Sequence, residues 1–238
     1  MGARLIAAAF GAVALVAAGP AVAQTKKAAP KAAAQRDWSR AVATTPDGGF
    51  RVGNPAAKVK VVELGSLTCG HCAHFAEEGY PKLLQNYVKS GRVNFEFRNY
   101  IRDPYDMAAA LVSRCAGPKD YFAVTDALFA GQTEWVNKLR TMNPDERKRI
   151  TDMVPAQGMP LIADAAGLQA YAAKGNVTPA AAKACLTSQA EIDRLLTMRK
   201  TAIDVHNLEY TPTFLINGKK VDASDWSALE PLIKAAGG

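Results

Sequence analysis

The chain has 238 residues, 49% hydrophobic and 8% aromatic, with a formal net charge of +7. That is ordinary globular composition, enough for a core in one domain or in one domain with a large insertion. The basic residues are scattered apart from "TKKAAPK" and no nucleic-acid motif accompanies them, so no nucleic-acid partner is expected.

Residues 1–23 read as a cleaved secretory signal peptide. Arg4 gives the positive start, an apolar stretch follows from Leu5, and Ala21-Val22-Ala23 offers a small-x-small cleavage site. The mature protein is therefore expected in the periplasm, where disulfides persist. Residues 24–47, rich in Ala, Lys, Pro and Thr, read as a flexible arm.

Ordered structure is expected from "DGGFRVGNP", which holds a short edge strand between turns. "KVKVVELG" (58–65) is a valine-rich strand. "HFAEEGYPKLLQNYVKSG" then reads as a helix, kinked by Pro81 and stopped by Gly91. "RVNFEFRN" (92–99) alternates as a second strand, with Val93, Phe95 and Phe97 on one face. Strand, helix, strand makes a βαβ unit with parallel strands.

A helical block follows, expected over residues 103–195. Asp103-Pro104, Asn143-Pro144 and Thr178-Pro179 each place an N-cap before a proline at the first helical position. Ser188 and Glu191 form a capping box for a long helix with Ile192, Leu195, Leu196 and Ile203 in its apolar stripe. Strand signals return in "TFLI", followed by the hairpin turn Asn217-Gly218 and "KKV". A closing helix contains Pro231. The layout predicts an α/β chain with the thioredoxin fold: a first part over residues 48–102, an α-helical insertion after that βαβ unit, and a second part over residues 196–238.

Four cysteines are present: Cys69, Cys72, Cys115 and Cys185. In "TCGHC" the spacing of the first two suits half a zinc site, a haem attachment point or a redox dithiol. A zinc site needs two more ligands at short spacing, and His71 and His74 share the same segment, which would strain a tetrahedral shell. Haem attachment wants histidine after the second cysteine, where Ala73 stands. As a dithiol, Cys69 falls at the start of a helix after a strand, where free N–H groups and the helix dipole favour a thiolate. His71 adds to this by charge or by a hydrogen bond, Gly70 keeps the approach open, and Cys72 is deeper and less reactive. A plain structural disulfide is the alternative.

Glu63 lies inside the apolar strand. Buried, it would have a raised pKa and could exchange a proton with Cys72; facing solvent, it would do neither. Pro212 begins a strand, a position that fits an edge, a bulge or a cis bond. A cis Thr211–Pro212 bond would leave the backbone groups of Thr211 free to pair with an extended peptide.

With "VVELGSLTCGHC", the helical block and "TPTFLING", the chain resembles the DsbA-like thiol–disulfide oxidoreductases of the thioredoxin superfamily over roughly residues 45–238. The resemblance implies Cys69 as nucleophile, Cys72 as its partner thiol, Glu63 as the buried acid and Pro212 as a cis-proline. It also implies a second disulfide between Cys115 and Cys185, the alternative being two buried free thiols. Gly70-His71 is similar to the dipeptide of eukaryotic disulfide isomerases, and threonine before the proline is similar to periplasmic isomerases. Against an isomerase, the short polar stretch 24–47 does not provide the dimerisation domain those enzymes carry. The expected activity is oxidation of reduced exported polypeptides by a monomer without a dissociable cofactor, with reoxidation through a quinone-linked membrane partner. An isomerase or reductase, or a non-catalytic binding module, are the other readings.

Overall fold

The computed structural model describes residues 1–2 and 36–238; the expected signal peptide beyond Gly2 and the first half of the arm, 24–35, lie outside them. A mixed six-stranded sheet organises the chain. Its strands are β1 (Val42–Thr44), β2 (Phe50–Gly53), β3 (Val59–Gly65), β4 (Val93–Asn99), β5 (Thr213–Ile216) and β6 (Lys219–Val221), in spatial order β1-β2-β4-β3-β5-β6. β3 and β4 run parallel from Val59↔Val93 to Gly65↔Asn99, as the βαβ reading requires. The remaining pairs are antiparallel.

Two expectations change at the sheet's edge. β2 lies between β1 and β4, so "FRVG" is an interior strand. The edge is β1, drawn from the stretch read as a flexible arm. Trp38 anchors this stretch: its backbone N–H donates to the carbonyl of Lys89 at 3.1 Å. Its ring would lie 2.7 Å from a Cβ on Gly91, which has φ +81°, so a glycine is required there. A lone aromatic among small and polar residues carries no periodic signal, so this anchor was hidden from pattern reading.

Between β3 and β4 the chain forms α1 (Gly70–Glu78), α2 (Tyr80–Leu83) and a π-helical turn over Leu84–Val88. The expected kink falls at Gly79, where a Cβ would sit 2.5 Å from the Phe75 ring; Pro81 sits in the first turn of the next helix. The insertion then contributes α3 (Pro104–Cys115), α4 (Gly117–Ala130), α5 (Gln132–Arg140), α6 (Pro144–Thr151), α7 (Pro155–Ala166), α8 (Gln169–Ala172) and α9 (Pro179–Leu186). Asp103, Asn143 and Thr178 each cap their helices by side-chain acceptance of backbone N–H groups.

α3 is the axis of the block. Every residue from Asp106 to Ser113 is buried, and Ala108, Ala109 and Ala110 let α4, α7 and α9 approach closely. Burial of Met107, Leu111 and Val112 stabilises this arrangement by roughly 1.5–3 kcal/mol each. The block shares its core with the sheet: Phe50 stacks on Tyr121 at 3.7 Å and Phe97 meets Phe129 edge-on at 6.0 Å.

The helix expected to straddle residue 195 is one continuous element, α10 (Gln189–Asp204), so the insertion and the second part of the sheet domain are joined by a rigid rod. Ser188 accepts from the N–H of Glu191, but the Glu191 carboxylate turns to Arg114 and Arg194, leaving half a capping box. The buried stripe is Ile192, Leu195, Met198 and Ala202; Leu196 and Ile203 are exposed. Asn217 and Gly218 both have positive φ and turn β5 into β6. α11 (Trp226–Ala235) closes the fold and runs unbroken through Pro231.

Candidate active site

β3 delivers its C-terminal end into the loop Ser66-Leu67-Thr68, and Cys69 is the N-cap of α1. The helical block holds that loop. Asp106, wholly buried on α3, accepts from Ser66 Oγ at 2.7 Å and from the N–H groups of Leu67 at 2.8 Å and Arg102 at 3.0 Å. Thr68 Oγ1 donates to Asp103 at 3.2 Å. Gln132, on α5, donates to the carbonyls of Leu67 at 2.7 Å and Cys69 at 3.0 Å. Neither Asp106 nor Gln132 was found from the sequence. Asp106 left a signal, a single acid heading the apolar run "MAAALV"; Gln132 left none.

Cys69 and Cys72 are both free thiols and both buried, but their surroundings differ. The side chain of Cys72, then a side-chain hydrogen bond from Thr211 and the N–H groups of Cys72 and His71, lower the Cys69 pKa to about 5 against the opposing effect of burial. Burial pushes the Cys72 thiol well up, and its hydrogen bond to Cys69 and the nearby Glu63 add to this. The N–H of Ser66 reaches the Cys72 sulfur at 3.5 Å. One turn of helix thus separates a stabilised thiolate from a stabilised thiol.

His71 contributes its main-chain N–H. Its ring is exposed and makes no hydrogen bond among the described residues. Gly70 is exposed, with nothing within 4 Å of a notional Cβ, which keeps the approach to Cys69 open.

Glu63 points to the inner face. Val61 and Glu63 share the side of β3 that packs under α1, while Val62 and Leu64 pack against Ala202 on the other side. Glu63 is 2% exposed, and its Oε1 has no hydrogen-bond partner among the described residues. Burial first, then the negative Cys69, raise its pKa well above the usual carboxylate range.

The Thr211–Pro212 peptide bond is cis and precedes β5. The ladder to β3 ends at Leu64↔Thr213, so Thr211 lies beyond it. Its carbonyl accepts from Cys69 Sγ at 3.2 Å. Thr211, Cys69, Gly70 and His71 line an open groove of about 870 Å³ that also takes in Tyr100, Arg102, Arg140 and Tyr210. Cys115 and Cys185 form a disulfide joining α3 to α9, with Cα atoms 5.8 Å apart and away from this groove.

Residues 45–235 match the thioredoxin family. A protein of Rickettsia bellii (strain RML369-C) named "Putative protein-disulfide oxidoreductase" is 24% identical over 186 residues, 78% of this chain and 63% of that protein. A protein of the same name from Rickettsia felis is 26% identical over 72% of this chain and 54% of its own length. The chain thus spans less than two thirds of the curated relatives it matches.

Among solved structures, a protein-disulfide isomerase from Novosphingobium aromaticivorans superposes with a TM-score of 0.74 at 32% identity, covering 79% of this chain and 97% of that one. Wolbachia pipientis α-DsbA1 superposes with a TM-score of 0.65 at 23% identity, over 84% of this chain and 95% of that one. No helix among the described residues is long and apolar enough to cross a membrane. The reactive-looking dithiol at the head of α1, the cis-proline facing it and the helical block inserted after β4 agree with these matches: the chain belongs to the thioredoxin family, with the fold of its DsbA-like members.

Proposed function

We propose that this chain is an extracytoplasmic thiol–disulfide oxidoreductase that introduces disulfides into exported proteins through Cys69 and Cys72. The observation that carries the reading is the opposite tuning of two thiols three residues apart, one pKa lowered to about 5 and the other raised by burial. A thiolate that stable is a good leaving group, so the disulfide form gives up its bond readily to an incoming thiol.

In the oxidised protein a substrate thiolate attacks Cys69 Sγ. The new bond joins substrate sulfur to Cys69, and Cys72 leaves as a thiolate that takes a proton; the buried, proton-retaining Glu63 beside it supports the reading that this acid supplies it. A second substrate thiolate then attacks the substrate's own sulfur in the mixed disulfide, and Cys69 leaves as a thiolate. The substrate loses two electrons and the Cys69–Cys72 pair gains them. The backbone of Thr211 lies beyond the ladder and faces Cys69, which supports the reading that the extended substrate strand pairs there. A quinone-linked membrane oxidase fits the need for reoxidation, and the periplasm fits the leader-like residues 1–23.

Equilibrating the dithiol with glutathione tests this. An oxidase is expected to show a potential well above that of thioredoxin and to oxidise a reduced client protein stoichiometrically. A potential near that of thioredoxin refutes the oxidase direction. A second reading, disulfide isomerase, is favoured by Gly70-His71 and by the 32%-identical isomerase structure. It is distinguished by recovery of a scrambled client without net oxidation. If Cys69→Ser leaves client refolding unchanged, both enzyme readings fall and a binding module remains.

A further inference from the structure

We propose that Thr125 and Asp126, on α4 of the inserted block, form with one water the proton path between Glu63 and solvent. The proposal rests on the reading of Cys72 as the buried thiol whose proton Glu63 exchanges. Asp126 acts through Glu63 and touches no reacting sulfur.

Two buried polar atoms without partners among the described residues, Glu63 Oε1 and Thr125 Oγ1, belong to residues that line the same small cavity. A buried polar atom left without a partner is costly, so each orphan calls for something to satisfy it. The cavity holds about 10 Å³ of free space, the room of a single water. Its other walls are Ala76 and the rings of Phe95, Phe97, Phe122, Phe129 and Tyr80, with the Tyr80 hydroxyl the one further polar group among them. One water there, hydrogen-bonded to both orphans, satisfies them together.

Asp126 is the polar residue at the outer rim. It lines this cavity and also a broad outer groove of about 700 Å³, and it is exposed. It therefore touches bulk water on one side and the buried acid's cavity on the other. Partial desolvation on the side that faces the cavity pushes its carboxyl upward from the ordinary carboxylate range, which favours its taking up a proton. The titratable groups facing this route are Cys69 and Cys72 beside Glu63, Tyr80 from α2, and His74 and Glu77 from α1 in the outer groove. Burial raises Tyr80 well above its ordinary value, so it stays a neutral phenol and does not compete.

The balance is simple. When the Cys72 thiolate is released, the Glu63 carboxyl gives it a proton and becomes a carboxylate. The bridging water passes a proton inward, Asp126 replaces it, and solvent reprotonates Asp126. On reoxidation the same proton leaves by the reverse steps.

The test is single-turnover reduction of the purified Cys69–Cys72 disulfide by dithiothreitol, followed by tryptophan fluorescence from pH 5 to 9. Asp126→Asn and Thr125→Val are each expected to slow the reaction roughly five- to tenfold near pH 7, less than loss of a direct general acid. Asp126→Asn should also flatten the pH dependence of the rate, and Asp126→Glu should restore it. The midpoint of Cys69 alkylation should stay near 5 in every variant, a readout that a general loosening of the fold would move. Wild-type rates and pH profile in both Asp126→Asn and Thr125→Val overturn the relay alone. Failure of the wild-type disulfide to react with dithiothreitol overturns the oxidoreductase reading, and the relay with it.

Discussion

Cys69 Sγ donates to the carbonyl oxygen of Thr211 at 3.2 Å, across 142 residues of sequence. This bond exists only while Cys69 carries its proton. On ionisation the sulfur becomes an acceptor, held by the Cys72 side chain and the N–H groups of the first turn, and the Thr211 carbonyl loses its donor. Forming the thiolate therefore releases a backbone acceptor beside the nucleophile, at the place where a peptide strand would pair. In the proposed exchange, activation of the sulfur and opening of the strand edge would be coupled through one proton.

The first prediction concerns that proton. Alkylation of the reduced protein by iodoacetamide is expected to titrate with a midpoint near 5 and to label Cys69, with Cys72 protected until the chain unfolds. A midpoint in the range of a free thiol, about 8.5, contradicts the proposed electrostatics.

The same ionisation links redox state to stability. The folded pKa of Cys69 lies below its unfolded value, so its contribution is complete above the unfolded pKa and is lost as pH falls through about 5. The reduced protein should gain on the oxidised one between about pH 5 and 9, by roughly 2–3 kcal/mol at pH 7, equivalent to roughly 50 mV in the dithiol potential. Urea denaturation of both forms at pH 5 and pH 7.5 measures this. A reduced-minus-oxidised difference that does not change between the two pH values rules it out.

Glu63 carries the opposite sign. Its folded pKa is raised, so the chain loses stability as pH rises above the unfolded carboxylate value of about 4.3. Glu63→Gln should remove that penalty. The variant is expected to be more stable than the parent by roughly 1–3 kcal/mol at pH 8 and little changed at pH 4. Exchange through Cys72 should slow by at least roughly tenfold. A variant that is destabilised at pH 8 and exchanges at the parent rate would show that Glu63 is only a packing residue.

Much of this site could be read from the residues before any coordinates. Cys69, Cys72, Glu63 and Thr211-Pro212 sit in local patterns, a strand end, a helix start and a strand start, whose geometry follows from periodicity and capping. The sequence left open whether Glu63 faces in or out, because the face of β3 that is covered depends on where α1 and α10 pack. Asp106 and Gln132 were out of reach for another reason. They act on the loop from 40 and 65 residues away, and nothing local marks a side chain whose partners are backbone groups of a distant turn. The ordering of residues from Trp38 to Thr44 is similarly a tertiary effect, since β1 exists only because β2 offers it an edge.

The second disulfide is a stabiliser in this arrangement. It closes a loop of 70 residues around the helical block, away from the groove of Cys69. Replacing Cys115 and Cys185 together by alanine should cost about 2–4 kcal/mol in urea denaturation. The midpoint of Cys69 alkylation should not move. A shift of that midpoint would show that the block's internal clamp also sets the chemistry of the dithiol.

Asp106 offers the sharpest test of how the insertion positions the site. Its two oxygens serve one hydroxyl and two N–H groups around the loop that precedes Cys69. Asp106→Ala strands all three in a buried space, at an expected cost of roughly 3–5 kcal/mol. Burial pushes the carboxyl up to about 7, so in the acid form one oxygen carries a proton that Ser66 Oγ can accept. Stability contributed by this group should therefore fall as pH rises from about 4 to 7 and level off above. Asp106→Asn keeps the acceptor for Leu67, loses the acceptor shared by Ser66 and Arg102 and can hold Ser66 only by donating to it, so it should cost less than alanine and flatten that pH dependence. Both variants should raise the Cys69 midpoint if the loop sets the aim of the first-turn N–H groups. A destabilised Asp106→Ala with an unmoved Cys69 midpoint would confine Asp106 to the fold and leave the thiolate to the helix end alone.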